Sequence, residues 1–382
     1  MLYRKLAKTG VDVSVLGFGC MRLPVVGGAA DRIDYDLATE MLHYAIDQGV
    51  NYVDTAYFYH AAAMGQMGES EPFVGEALSD GWRDRVNLAT KLPVGLCSDR
   101  GEMERMLELQ LGRLKTDHID FYLLHGLNGA AWDRVRALGA IEFLESAVAD
   151  GRIRFPAFSF HGAAADFRRI CDEYDGWAFG QIQYNYMDTE FQAGYEGLQH
   201  AAAKGIGVVV MEPLRGGSLA DGLPDAMRPI FDARPEGWTP AHWALRYVWN
   251  EPGVSLLLSG MSDMDQVVAN VASAQDGLAG SLTDDQLAVY ERAASVMRGK
   301  IKADCTRCRY CMPCPSGVDI PDVLAALNNA AMWDNANAWL TGYARVEGKA
   351  ANCTECGQCI EMCPQGIEVP DMMSDAVATF GG

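Results

Sequence analysis

Eight of the chain's eleven cysteines fall into two short runs whose spacing is that of metal ligands. Cys305, Cys308, Cys311 and Cys314 follow the pattern C-x2-C-x2-C-x2-C, and Cys353, Cys356, Cys359 and Cys363 follow C-x2-C-x2-C-x3-C; a proline comes directly after each run. The second pattern is the one that arranges thiolates around four-iron, four-sulfur clusters. The first departs from it only in the gap before Cys314. Where two such runs occur together, the fourth cysteine of each ligates the other's cluster. On that rule Cys305, Cys308 and Cys311 pair with Cys363, and Cys353, Cys356 and Cys359 pair with Cys314. Zinc is the alternative metal, although zinc sites rarely carry a proline after the last cysteine. A disulfide scaffold is a further alternative, disfavoured by dense C-x2-C runs in a chain with no secretory leader. The clusters would carry electrons, or would only staple a tail too small for a core of its own.

Composition narrows what the remainder can be. The 382 residues are 49% hydrophobic and 21% charged, ordinary values for a globular protein with a full core. A net charge of −20 repels phosphate backbones and anionic membranes, which disfavours nucleic-acid binding. The opening MLYRKLAKTG lacks an apolar leader core, and no stretch approaches eighteen apolar residues. A cytoplasmic protein without a membrane span is therefore expected.

The elements that must position any active residues are legible as an alternation. After a hairpin over 3–14, apolar runs at 15–19, 51–55, 86–91, 119–125, 153–160, 179–183, 207–211 and 254–258 read as strands. Helical spacing occupies 35–48, 69–78, 100–114, 132–150, 166–174, 195–204, a stretch opening at Thr239-Pro240, and 263–273. Eight strand–helix units over about 260 residues predict an α/β fold of the (β/α)8 TIM-barrel type. A further helix over 283–297 opens with Thr283 and two aspartates. Composition then shifts to cysteine, proline and asparagine, so the reading divides the chain into a barrel over 1–299 and a cluster domain over 300–382. Helical spacing over 320–340 makes the second domain mostly α-helical.

Barrels of this type carry their chemistry at the C-terminal ends of strands. Asp54 and Tyr59 follow the second predicted barrel strand, Lys91 ends the third and His125 ends the fourth. Singly these are a cap, a pocket aromatic, a surface charge and a core histidine; together at consecutive strand ends they form a candidate site. A lysine cation beside a tyrosine favours the phenolate and lowers a pKa of about 10, and an aspartate supplies the counter-charge a buried lysine requires.

Here the sequence resembles the aldo-keto reductases. The resemblance is carried by YRKLAKTGVDVSVLGFGCMRLP, DTAYFY, Ala89–Lys91 and Leu123–His125, and it covers roughly residues 1–298. With the cysteine runs, the chain resembles aldo-keto reductases fused to a C-terminal two-cluster ferredoxin domain. The resemblance implies an oxidoreductase that reduces a carbonyl, or an activated double bond, of a small organic substrate. Asp54, Tyr59, Lys91 and His125 would be catalytic, with Tyr59 the proton donor. Ser159 and Gln183 would hold a nicotinamide carboxamide, Gly260 and Ser262 a phosphate, and Asn270 the adenine.

The departures from the family pattern are also informative. Phe160 stands where the family has asparagine, and Met211 where an aromatic ring stacks on the nicotinamide. SGMSDMDQVVAN lacks the basic residues that grip a 2′-phosphate, so NADH is favoured over NADPH. Nicotinamides deliver electron pairs and clusters pass single electrons. A flavin on the same barrel is thus the alternative cofactor, and an electron-transfer subunit with an inactive barrel the alternative function. A ferredoxin or flavoprotein is the expected redox partner. Cys20, at the end of the first predicted barrel strand, could line the pocket, but for Cys20, Cys97 and Cys171 a buried small hydrophobe is the stronger expectation. Tyr57, Phe58, Met64, Met67, Trp132 and the segment 214–238 are placed to shape the substrate site, in keeping with an apolar or aromatic carbonyl compound.

Overall fold

The computed structural model describes residues 1–63, 65–305 and 307–381; Met64 lies outside the described residues. Two short strands come first, β1 (Tyr3–Lys5) and β2 (Asp12–Ser14), paired antiparallel as a hairpin. Eight more follow: β3 (Leu16–Gly19), β4 (Tyr52–Asp54), β5 (Asn87–Leu92), β6 (Ile119–Leu127), β7 (Ile153–Phe160), β8 (Phe179–Gln183), β9 (Gly207–Met211) and β10 (Leu256–Ser259). They close into one parallel barrel in the order β10-β3-β4-β5-β6-β7-β8-β9. The expected (β/α)8 architecture is what the chain adopts. Parallel strands buried on both faces explain why these runs are almost continuously apolar.

The helices between strands are set by caps as well as by amphipathic spacing. Asp34, Asp99, Asn128 and Asp263 each accept a hydrogen bond from a backbone N–H in the first turn of the following helix. Where one helix over 132–150 was expected there are two, Gly129–Ala137 and Ala140–Ala149. Gly139 divides them at φ 83°, a left-handed conformation that only glycine adopts without strain.

Inside the barrel, alternate residues stack in layers. Tyr52, Ala89, Leu123, Ala157, Phe179 and Val209 are all buried in one interior cluster, together with Leu6 and Val13 from the hairpin region. Two residues further along the same strands come Asp54, Lys91, His125, Ser159, Gln181 and Met211. With a period of two, this second layer faces the same interior. An apolar floor thus lies directly beneath a polar ring.

By compactness the chain divides into Met1–Gly216 with Ala241–Leu282, and Gly217–Pro240 with Thr283–Gly382. The helix Asp284–Arg298, read from sequence as the end of the barrel domain, thus groups with the C-terminal residues. Within that unit the start of the helix is tied to the 217–240 segment. Arg234 donates to Glu236 and Asp285 at 3.0 and 2.8 Å, and Gln286 Nε2 donates to Glu236 at 3.1 Å. The cluster region is mostly helical, as expected, although the stretch read as one helix is again two, Ile320–Met332 and Ala336–Ala344. With Val369–Phe380 they enclose a small core containing Val323, Leu324, Leu327, Tyr343 and Met373. Tyr343 and Phe380 stack there with ring centroids 4.5 Å apart. Among the described residues no helix is long and apolar enough to cross a membrane.

The hairpin is fastened to the barrel by Arg4. Its guanidinium donates to the carbonyls of Trp249, Val254, Gly277 and Glu251 at 2.5, 2.6, 2.9 and 3.2 Å. Arg4→Ala leaves those carbonyls without their cationic donor and should lower the unfolding free energy by about 2–4 kcal/mol. Urea denaturation of the variant checks this; an unchanged midpoint would contradict it.

Candidate active site and metal centres

The polar ring opens into a cavity of about 770 Å3. It is lined by Asp54, Tyr59, His125, Ser159, His161, Gln181, Met211, Arg22 and Gly260, among others. Lys91 lies at its base with no exposed surface. A buried ammonium must have all its protons satisfied. Lys91 Nζ donates to Asp54 Oδ1 and Oδ2 at 2.7 and 2.8 Å, to the Thr55 carbonyl at 2.8 Å and to the Tyr59 hydroxyl at 3.1 Å. Because the Tyr59 oxygen accepts from Lys91, its own proton is free to point into the cavity.

The electrostatics differ from the sequence expectation in one respect. Burial is the largest influence on Tyr59 and raises its pKa; Lys91 opposes that, and Asp54 adds to the rise. The net direction is up, because burial outweighs the Lys91 cation and the Asp54 carboxylate adds to it. Tyr59 is therefore a protonated acid throughout the neutral range. Burial, then Lys91 and His161, push His125 down to about 3. It is a neutral imidazole, able to donate one hydrogen bond but not to act as an imidazolium.

His125 is aimed by a local irregularity. β6 runs on to Leu127, and its pairing with β7 shifts register between Leu124 and Leu127. Gly126 takes φ 65° there and donates its N–H to Ser159 Oγ at 2.8 Å. This turns His125 towards the Tyr59 ring, their centroids 6.2 Å apart. His125 Nδ1 is buried and has no partner among the described residues.

The expected nucleotide contacts are redistributed. Gln183 does not line the cavity; its Nε2 donates to Asp188 Oδ2 at 2.9 Å. Gln181 takes the place beside Ser159, with which it is in register. Its side chain is buried, Nε2 faces Met211 Sδ at 3.7 Å, and Oε1 has no partner among the described residues. Gly260 is on the wall, but the Ser262 N–H is already taken by Gln266 Oε1 at 3.0 Å. Asn270 donates to Ser259 Oγ at 3.1 Å. Cys20 is fully buried and off the cavity wall. Trp132 is likewise in the core, donating to Glu173 at 2.6 Å. Arg22 and Glu212 face each other at 3.8 Å on that wall. Sequence reading passed over both, since neither is part of a spacing pattern.

In the other unit the cysteines gather around two separate hollows. Cys305, Cys308, Cys311 and Cys363 surround about 360 Å3 with Ile320, Leu324 and Ile367. Cys314, Cys353, Cys356 and Cys359 surround about 290 Å3 with Val318, Val369 and Met373. These are the two sets that crossed pairing of the runs predicts. Each run repeats one detail: Arg307 N–H points at Cys305 Sγ and Glu355 N–H at Cys353 Sγ, both at 3.4 Å. Positive φ at Arg307 (54°) and Glu355 (55°) turns these amides towards sulfur. Among the described residues no group of three or more His, Cys, Asp or Glu side chains is arranged to hold a single ion.

Comparison with known proteins agrees. A model described as the aldo/keto reductase family matches residues 15–291, well over half of the chain. The chain belongs to the aldo/keto reductase family. A 4Fe-4S dicluster domain model matches residues 304–368, so this reductase is fused to an iron–sulfur domain. The reductase is 28% identical over 351 residues to the Escherichia coli protein named Protein tas, covering 78% of this chain and 98% of that one. It is 27% identical over 240 residues to the 6-dehydroglucose reductase of Novosphingobium aromaticivorans, covering 60% and 75%. Among solved structures, an aldo-keto reductase of Bacillus halodurans in its holo form superposes with TM-score 0.62 at 26% identity, over 77% of this chain and 96% of that one. A Klebsiella pneumoniae enzyme in complex with NADP and acetate gives 0.60 at 27%, over 75% and 93%.

The cysteine sets predict a countable result. Anaerobically purified protein should contain about eight irons per chain, and Cys308→Ser, removing one ligand of the first set, should leave about four. Iron and acid-labile sulfide analysis checks this; complete loss of iron in that variant would contradict two separable centres.

Proposed function

We propose that the protein reduces the carbonyl group of a small organic compound, with Tyr59 delivering the proton. The observation that carries this reading is the Tyr59 hydroxyl, which accepts from Lys91 at 3.1 Å and keeps its own proton for the cavity. Gln181, Ser159 and Gly260 would hold a reduced nicotinamide, which would supply hydride for the carbonyl carbon. As charge gathers on the carbonyl oxygen, Tyr59 gives up its proton to it and the product is the alcohol. Lys91, held by Asp54, stabilises the phenolate left behind, and solvent restores the proton. Neutral His125 donates a hydrogen bond to the same oxygen and orients it.

For the cofactor, the unpaired Gln181 Oε1 beside Ser159 is suited to accept from a carboxamide N–H. The wall at Gly260 would receive the diphosphate. Asp263 and Asp265 open the helix Met264–Ser273, which favours NADH over NADPH because a 2′-phosphate there would face two carboxylates. The eight cluster cysteines would hold two [4Fe-4S] centres that exchange single electrons with a ferredoxin or flavoprotein. A flavin in the barrel is the second reading, favoured by Met211 on the wall where an aromatic ring would otherwise stack.

Two measurements test the reading. Tyr59→Phe should lower kcat for an aromatic aldehyde by about 10^2–10^4-fold with the fold intact; unchanged turnover would remove the barrel chemistry from the proposal. The pH profile of the parent is also specified. With His125 neutral down to about 3 and Tyr59 raised, kcat/KM for reduction should be flat between about pH 5 and pH 8. It should fall only where Tyr59 deprotonates, above the ordinary tyrosine value of about 10. A limb near pH 6.5 that disappears in His125→Gln would contradict these roles.

A further inference from the structure

A second polar cluster is buried behind the barrel wall, and the mechanism above makes no use of it. Glu71, in the helix Ser70–Ala77, has no exposed surface. Its Oε1 accepts from Thr90 Oγ1 at 2.7 Å and from Gln110 Nε2 at 2.6 Å, and its Oε2 from Arg113 Nε at 3.0 Å. Gln110 also donates to the backbone carbonyl of Lys91 at 3.0 Å and accepts from the Tyr122 hydroxyl at 2.6 Å. Arg113 also donates to the backbone carbonyl of Gly68. One carboxylate therefore governs two backbone carbonyls that belong to different segments of the site.

Those segments are the ones that carry the proton donor and its cation. Gly68 is packed against the Tyr59 backbone: a Cβ at Gly68 would lie 1.9 Å from the Tyr59 carbonyl oxygen. Gly68 N–H donates to the Tyr57 carbonyl at 2.8 Å, and Ser70 N–H to that of Tyr59 at 3.2 Å. The β4–β5 ladder does not join the two segments at this level. Its pairing ends at Asp54↔Ala89, with a last bond from Thr55 N–H to the Ala89 carbonyl at 2.9 Å. Beyond that point the Tyr59 loop and the Lys91 end of β5 are tied by the Lys91 ammonium within the cavity and by the Glu71 cluster behind it.

A buried ion pair is an expensive way to pack helices, and apolar side chains of the same volume commonly do as well. What apolar side chains cannot do is fix two carbonyls relative to one another. We propose that Glu71, acting through Gln110 and Arg113, is a positioning residue that sets the separation of the Tyr59 hydroxyl from the Lys91 ammonium. The inference rests on Tyr59 being the proton donor.

The test uses Glu71→Gln in the full chain, purified anaerobically and assayed with an aromatic aldehyde and a reduced nicotinamide. Turnover should fall about tenfold while both KM values move less than about twofold. Placed on a Tyr59→Phe background, the same substitution should change the residual rate by no more than about twofold, because its effect passes through Tyr59. In hydrogen–deuterium exchange without cofactor, amides of residues 56–70 should exchange faster while the other barrel strands keep their parental rates. An equal loss in both backgrounds, no loss at all, or faster exchange across the whole barrel would overturn the proposal. Should Glu71→Gln fail to fold, Arg113→Gln is the substitute, since its side chain is 12% exposed and it removes only the arm to Gly68. If Tyr59→Phe alone costs no activity, the proton-donor reading fails by itself. Exchange over 56–70 then decides whether Glu71 holds the loop.

Discussion

A lysine ammonium with no exposed surface is the constraint around which the barrel's open end is built. In a low-dielectric interior such a charge persists only if every proton has an acceptor and a counter-charge lies beside it. Asp54, the Thr55 carbonyl and the Tyr59 hydroxyl meet that demand between them. Each comes from the end of β4 or the loop after it, so the ammonium draws this stretch of chain onto the end of β5. The chemistry follows from the same requirement: an oxygen recruited to satisfy Lys91 is left with a proton aimed at the cavity. The counter-ion also limits what the lysine can do. Burial is the larger influence on Tyr59 and Asp54 adds to it, so the resting tyrosine stays an acid.

The iron–sulfur unit meets a different constraint with a repeated local device. A residue two places after the first cysteine of each run adopts positive φ and turns its amide towards that cysteine's sulfur. Backbone donors of this kind, with the apolar side chains around each hollow, are the means by which a protein tunes such a centre. Here an iron–sulfur domain is fused to a reductase family whose nicotinamide chemistry moves electrons in pairs, as hydride.

Much of this was legible without coordinates. The barrel follows from strands and helices alternating at regular intervals, and the tetrad from four polar residues at consecutive predicted strand ends. The crossed cysteine sets follow from the rule that, in paired runs of this spacing, the fourth cysteine of each serves the other's cluster. Gln181 was within reach as well. Counting by twos from the barrel-filling Phe179 leads to Gln181 just as Ala89 leads to Lys91, but the strand's period was not carried through to its end. Gln183 continues the same face one step too far and is claimed by Asp188.

Other features were not in the sequence to be found. Glu71 sits between a serine and a proline at the start of a helix, where a solvated cap is the ordinary expectation. Only the packing of the helices Ser70–Ala77 and Arg100–Leu114 on β5 converts it into a buried anchor. The direction of Tyr59's ionisation likewise depends on how far burial outweighs Lys91, which residue types cannot state. The sequence by itself determined the architecture, the metal ligands and the catalytic residue types, because periodicity and ligand spacing are properties of the chain. Tertiary structure alone decided which glutamine lines the cavity and how burial and charge bias the ionisation of Tyr59 and His125. Those depend on depth, register and the charges that folding brings within a few ångströms of one another.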